Sequence, residues 1–138
     1  WRLWGHVRTV PKPMRRLDGT RPEWSCGYAQ LGGPTPASGI ADTLIRTASR
    51  MCQGAAGGTY HYWGAPAVSW AKFARVIFAE AGKSVTVHDI STDAYPTPSR
   101  RPLNSRLDCT SLRRDFGIAQ PAWRDELRDV IQQIQRQP

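Results

Sequence analysis

The stretch "GTYHYWGAPAVSWAKFARVIFAEAGKSVTVHDI", Gly58 to Ile90, changes its hydrophobic period twice, and those changes decide the fold class. Its first part, Gly58 to Gly64, sets aromatic residues between glycines, which predicts a strand. Ser69 then stands where a helix cap is needed. Behind it Trp70, Phe73, Ala74, Ile77 and Ala81 share one helical face, and Gly82 supplies a left-handed stop. "SVTVHDI", Ser84 to Ile90, is β-branched and predicts a second strand.

The flanks extend this pattern. Upstream, Thr35 reads as an N-cap with Pro36 at the first helical position, where the missing N–H costs nothing. Ile40, Leu44, Ala48 and Met51 follow at helical spacing, so a helix over 36–51 is expected to lay an apolar stripe on a core. Downstream, Asp108 is placed to cap a short helix carrying Leu112 and Phe116 and stopped at Gly117. Pro121 opens the last helix, with Trp123, Leu127, Val130, Ile131 and Ile134 inward and Asp125 and Glu126 complementing its amino-terminal dipole. The fold class is therefore α/β, a small mixed unit with too few strands for a complete doubly wound domain.

Residues 1–29 lack a sustained period of either 3.6 or 2 and read as an irregular segment, leaving 30–138 as the folded lobe. A length of 138 residues fits one domain, and 40% apolar content with six tryptophans argues for a packed core. The net charge of +8 makes an anionic partner plausible without choosing among nucleic acid, membrane surface and a phosphorylated small molecule. A nucleic-acid binder would need an aromatic-interleaved platform or a recognition-helix pattern, and the sequence has neither. No apolar run approaches the ~20 residues of a membrane span. The three cysteines form no CxxC pair, so free thiols in a reducing cytoplasm are expected.

Catalytic signatures are missing from the string. There is no HExxH, GxSxG, GxGxxG, GxxxxGK or Tyr-x-x-x-Lys, so no catalytic, metal or cofactor-binding residue is assigned. Two loops stand out instead. "QLGGPT", Gln30 to Thr35, leads into a helix amino terminus, which favours an anion or a polar ligand group, and its glycines allow close backbone approach; an ordinary helix entry capped by Thr35 is the other reading. "YPTPSRRPLNSRLD", Tyr95 to Asp108, is stiffened by Pro96, Pro98 and Pro102. Its Arg100 and Arg101 can fork onto phosphate oxygens, and Asn104 and Ser105 can donate and accept. A purely structural proline loop accounts equally well for these residues.

The segments "QLGGPTPASGIADT", "GTYHYWGAPAVSWAKFARVIFAEAG" and "ISTDAYPTPSRRPLNSRLDCTSLRRDFGIAQPAWRDELRDVI" resemble, in order and spacing, the carboxy-terminal part of the dTDP-4-dehydrorhamnose reductase family, extended short-chain dehydrogenase/reductases. The resemblance covers Gln30 to Ile134. It implies the substrate-binding lobe of a two-part enzyme that reduces dTDP-4-dehydro-L-rhamnose to dTDP-L-rhamnose for cell-surface polysaccharide. The NADPH- or NADH-binding Rossmann domain and its Tyr-x-x-x-Lys pair lie in the other part, so this chain alone is expected to bind no cofactor and to be inactive. A dTDP-sugar is the implied partner, with no nucleic acid and no membrane; a homodimer is compatible with the full-length enzyme, and the location is cytoplasmic.

The resemblance also implies substrate contacts. Gln30, Gly32, Pro34 and Thr35 match the family's "DQxGxPT" loop, with Ala29 in place of the acidic residue. Arg101, Pro102, Asn104 and Ser105 match its "RPxNS" loop beside the sugar-nucleotide cleft, Arg100 adjoins them, and Trp4 is the position available for an aromatic that lines the site. Residues 1–29 depart from the family pattern, and the chain does not begin with methionine, so missing upstream sequence and a partly out-of-frame or decayed first segment are expected. The regulatory β subunit of methionine adenosyltransferase shares the superfamily scaffold and supplies the alternative, a non-catalytic binding subunit.

Overall fold

The computed structural model describes residues 23–94 and 102–136. In chain order its elements are β1 (Glu23–Gly27), β2 (Leu31–Gly32), α1 (Ala37–Cys52), β3 (Val68–Ser69), α2 (Trp70–Glu80), β4 (Thr86–Ile90), α3 (Thr110–Phe116) and α4 (Trp123–Arg136). The expected mixed α/β lobe is what forms.

Helix α2 ends where its sequence says it should. The Ser69 hydroxyl accepts from the Lys72 backbone N–H at 3.2 Å. At the other end Gly82 has φ +66, its N–H reaches the Ala79 carbonyl, and the Lys83 N–H reaches the Phe78 carbonyl at 2.9 Å. That pair of bonds closes the orphan carbonyls of the last turn, and only a residue without Cβ takes the left-handed position at no cost.

Two buried clusters lie on different sides of α2. Ala71, Ala74 and Phe78 pack with Val87, and Trp24, Cys26 and Val85 close over them. Phe73 and Ile77 pack with Val68, Trp123, Leu127 and Ile131. The Trp123 ring meets Phe73 edge-on at 5.3 Å, and its indole N–H donates to the Pro66 carbonyl at 2.7 Å, so the largest core side chain buries no unpaired donor. A third cluster joins Leu112, Phe116 and Ile118 of the α3 region to Met51, Ala55, Tyr60 and Tyr62.

Several expectations are corrected. The irregular segment 1–29 contains a strand: β1 pairs in parallel with β4, with Trp24 opposite Val87 and Cys26 opposite Asp89. A parallel partner more than fifty positions away leaves no local turn signal, so only the tertiary pairing reveals the strand. Conversely, Gly58 to Gly64 forms no strand. Tyr60 and Tyr62 pack on the third cluster, and the nearest bridge joins Ala65 to Ala122.

Helix α1 is present, yet Pro36 is its cap residue and no side chain caps it. Its apolar stripe is only partly covered: Met51 packs on the third cluster, but Leu44 is 64% and Ile45 70% exposed, and Thr43 is the buried residue. Periodicity fixes which residues share a face; it does not supply a neighbour to cover them. At α3, Cys109 takes the cap position, but the Asp108 carboxylate still accepts the Thr110 N–H at 2.9 Å; hydrogen bonding from the Thr110 side chain first, and then from this N–H, holds its pKa below the usual carboxylate value. Helix α4 begins at Trp123, two residues after Pro121, because Pro121 and Ala122 are engaged with Ala65.

Truncating Trp123 to alanine removes a fully buried ring and a hydrogen-bond donor, and urea unfolding should show a loss of about 3–5 kcal/mol. Leu44→Ala, at an exposed site, should change the same midpoint by less than about 0.5 kcal/mol.

Candidate functional site

The site is built around Leu31. On one side Leu31 and Gly32 pair antiparallel with Ser69 and Val68. On the other, the Leu31 N–H donates to the Leu103 carbonyl at 2.7 Å, the Ser105 N–H donates to the Leu31 carbonyl at 2.8 Å, and Leu31 and Asn104 form a parallel bridge. Leu31 of the first loop and Leu103 to Ser105 of the second, about seventy positions apart, thus lie side by side. Since β3 runs straight into the Ser69 cap of α2, both loops are referenced to the core.

The second half of the first loop is pressed onto Trp63 and Gly64. A Cβ on Gly33 would overlap the Gly64 carbonyl oxygen and the Trp63 indole, and a Cβ on Gly64 would overlap the Pro34 carbonyl oxygen. The Thr35 hydroxyl donates to the Gly33 carbonyl at 3.0 Å and accepts from the Gly64 N–H at 3.2 Å. Thr35 therefore cross-links two loops and does not cap α1. The glycines serve backbone-to-backbone contact within the chain.

The other predicted residues fall as follows. Gln30 is half-buried just before β2, next to the Leu31–Asn104 bridge. Ser105 is half-buried, with its N–H committed to Leu31. Asn104 is exposed, and its side-chain oxygen accepts from the Arg106 N–H at 3.1 Å and from the Arg106 Nε–H at 2.9 Å. The structure brings Gln30, Asn104 and Ser105 together, whereas Thr35 bonds to Gly33 and Gly64. Arg100, Arg101 and Trp4 lie outside the described residues.

Sequence reasoning missed Leu31, Trp63, Gly64 and Arg106. Leu31 and Gly64 act through their backbones, which no side-chain motif advertises. Arg106 carried a signal, since an asparagine two residues before an arginine can accept from both the latter's main chain and its side chain.

The arrangement offers amide, hydroxyl and backbone hydrogen bonding together with arginine charge, which suits a polar anionic ligand. Among the described residues no group of three or more His, Cys, Asp and Glu could hold a metal ion, and no helix is long and apolar enough to cross a membrane. Cys26 and Cys109 are free thiols whose pKa values are pushed up chiefly by burial, the opposite of an activated nucleophile.

Residues 2–136 match the protein-family model described as RmlD substrate binding domain, a span that takes in most of the amino-terminal stretch. The dTDP-4-dehydrorhamnose reductase of Sinorhizobium fredii is 40% identical over 127 residues, covering 87% of this chain and 43% of that protein. Its counterpart from Aggregatibacter actinomycetemcomitans is 36% identical over 138 residues, covering 94% and 47%. The crystal structure of a dTDP-4-dehydrorhamnose reductase from Clostridium acetobutylicum superposes with a TM-score of 0.88 at 28% identity, over 96% of this chain and 46% of that one. The Bacillus anthracis reductase, solved in complex with NADP, gives 0.83 at 26% identity, over 95% and 46%. The chain spans about half the length of the curated relatives it matches.

Gly64→Ala should lower stability by about 1–3 kcal/mol in urea unfolding, because the new methyl meets backbone that cannot swing aside. Gly27→Ala is the control: nothing lies within 4 Å of its Cβ, and its midpoint should hold or rise slightly.

Proposed function

Because this chain belongs to the RmlD substrate binding domain family, we propose that its paired loops, 30–35 and 101–105, form the dTDP-sugar face of a dTDP-4-dehydrorhamnose reductase. The observation that carries this reading is the two-sided pairing of Leu31, which sets Gln30 next to Asn104 and Ser105. Family likeness alone would assign two sequence motifs. The hydrogen bonds of Leu31 with Leu103 and Ser105 support reading them as one surface.

In this reading the full enzyme reduces dTDP-4-dehydro-L-rhamnose to dTDP-L-rhamnose with NADPH or NADH. The present residues bind and orient the nucleotide sugar. Arg100 and Arg101 supply charge to the diphosphate, and a guanidinium fork matches two phosphate oxygens at once. Asn104, Ser105 and Gln30 meet polar groups of the sugar or nucleotide, and Trp4 adds an aromatic wall. Thr35 acts at one remove, holding the first loop against Gly64. The chain has neither a glycine-rich dinucleotide motif nor a Tyr-x-x-x-Lys pair, so cofactor binding and hydride transfer belong to another part of the enzyme, and the lobe alone does not turn over.

Titrating the 138-residue chain with dTDP-rhamnose while following tryptophan fluorescence should give saturable binding that weakens as salt rises, since the ligand's charge sits on its diphosphate. NADPH absorbance should stay constant in the parallel assay with the 4-keto sugar. A chain that is folded by circular dichroism yet shows no saturation would defeat the reading, and NADPH oxidation would defeat the assignment of chemistry to another part.

A further inference from the structure

We propose that Arg106 is a positioning residue that turns Asn104 into a one-way hydrogen-bond donor, so that the loop selects ligands presenting an acceptor oxygen at this point. The inference rests on the dTDP-sugar reading above and adds a residue and a polarity to it.

The orientation of an asparagine amide follows from its partners, and here the partners admit one answer. The Arg106 backbone N–H and the Arg106 Nε–H converge on the same Asn104 atom, at 3.1 and 2.9 Å. Both groups are donors at every accessible pH, so the atom receiving them is the carbonyl oxygen. Flipping the amide would place its NH2 against two N–H groups, forfeiting both bonds, one of them charge-assisted. What Asn104 keeps for another molecule is its NH2.

The main chain is held as well. Leu103 and Ser105, on either side of Asn104, are both bonded to Leu31, whose strand continues the pairing to β3. Asn104 is exposed on this fixed frame, so the direction of its amide is set before any ligand arrives. Among the described residues no carboxylate pairs with Arg106. The Asn104 and Arg106 side chains therefore offer a ligand donors only. A hydroxyl or phosphate oxygen suits them; an ammonium or amide N–H does not.

A double-mutant cycle in the 138-residue chain, read by dTDP-rhamnose titration, tests the proposal. Asn104→Ala should weaken binding about tenfold, the usual value of one hydrogen bond to a charged or strongly polar acceptor. Arg106→Ala should weaken it several-fold in the parent background and leave it unchanged in the Asn104→Ala background, because Arg106 acts through Asn104. Asn104→Asp, which keeps the oxygen for Arg106 and removes the NH2, should lose at least as much as Asn104→Ala. Nitrogen-15 spectra add a readout that overall folding does not move: the Asn104 side-chain NH2 pair should shift on Arg106→Ala without ligand, and on ligand addition in the parent. Equal losses from Arg106→Ala in both backgrounds would mean that Arg106 touches the ligand itself, and unchanged binding by Asn104→Ala would remove the donor role. Either overturns the proposal while leaving dTDP-sugar binding intact. Failure of the parent chain to bind overturns the functional reading and this inference with it, whereas the ligand-free NH2 shift still reports whether Arg106 sets the amide.

Discussion

Helix α2 has to satisfy two cores at once, and the rest of the molecule depends on that constraint. Phe73 and Ile77 bury against α4, while Ala71, Ala74 and Phe78 bury against the β1–β4 pair. Ala71 and Ala74 are fully buried, and their small side chains let the sheet come close on one face while Phe73 reaches the Trp123 ring on the other. At roughly 25 cal/mol per Å² of apolar area, a helix buried on two sides contributes far more than its intrinsic propensity. A charge at Ala74 or a void at Phe73 would loosen both layers at once.

The candidate site inherits its precision from that helix. Ser69 caps α2 and also pairs with Leu31, and Leu31 in turn holds the backbone on both sides of Asn104. Core packing thus reaches the second loop in three steps, each a backbone hydrogen bond or a cap. Thr35 and the close contact of Gly33 with Gly64 supply a second brace from the Trp63 side. Side chains on such a frame present their polar groups with little ordering left to do on binding a ligand.

Much of this was legible in the residues. Ser69, Gly82, Gly117 and the Trp123–Leu127–Ile131 stripe announce their elements because caps and stops are local chemistry, settled within four or five positions. The two site loops were also visible, through their prolines, glycines and paired arginines. The role of Thr35 was misread because a hydroxyl before a helix is normally a cap, and here a better use existed in the Gly64 N–H, twenty-nine positions away. Strand β1 was hidden for the same kind of reason, since a strand buried on one face and paired in parallel takes its identity from a distant partner. The exposure of Leu44 and Ile45 was equally beyond reach, because amphipathic spacing is indifferent to whether a partner stands opposite.

The sequence by itself determined where α2, α3 and α4 run, which of their faces are apolar, and that two polar loops flank them. It also carried a family likeness specific enough to place the chain in the RmlD substrate binding domain family. Tertiary structure alone decided that those loops are neighbours and that Thr35 braces and does not cap. The physical reason is range. Caps, turns and periodicity are energies between residues a few positions apart, whereas the site is made of backbone hydrogen bonds across about seventy positions, and those form only once packing has brought the strands within reach.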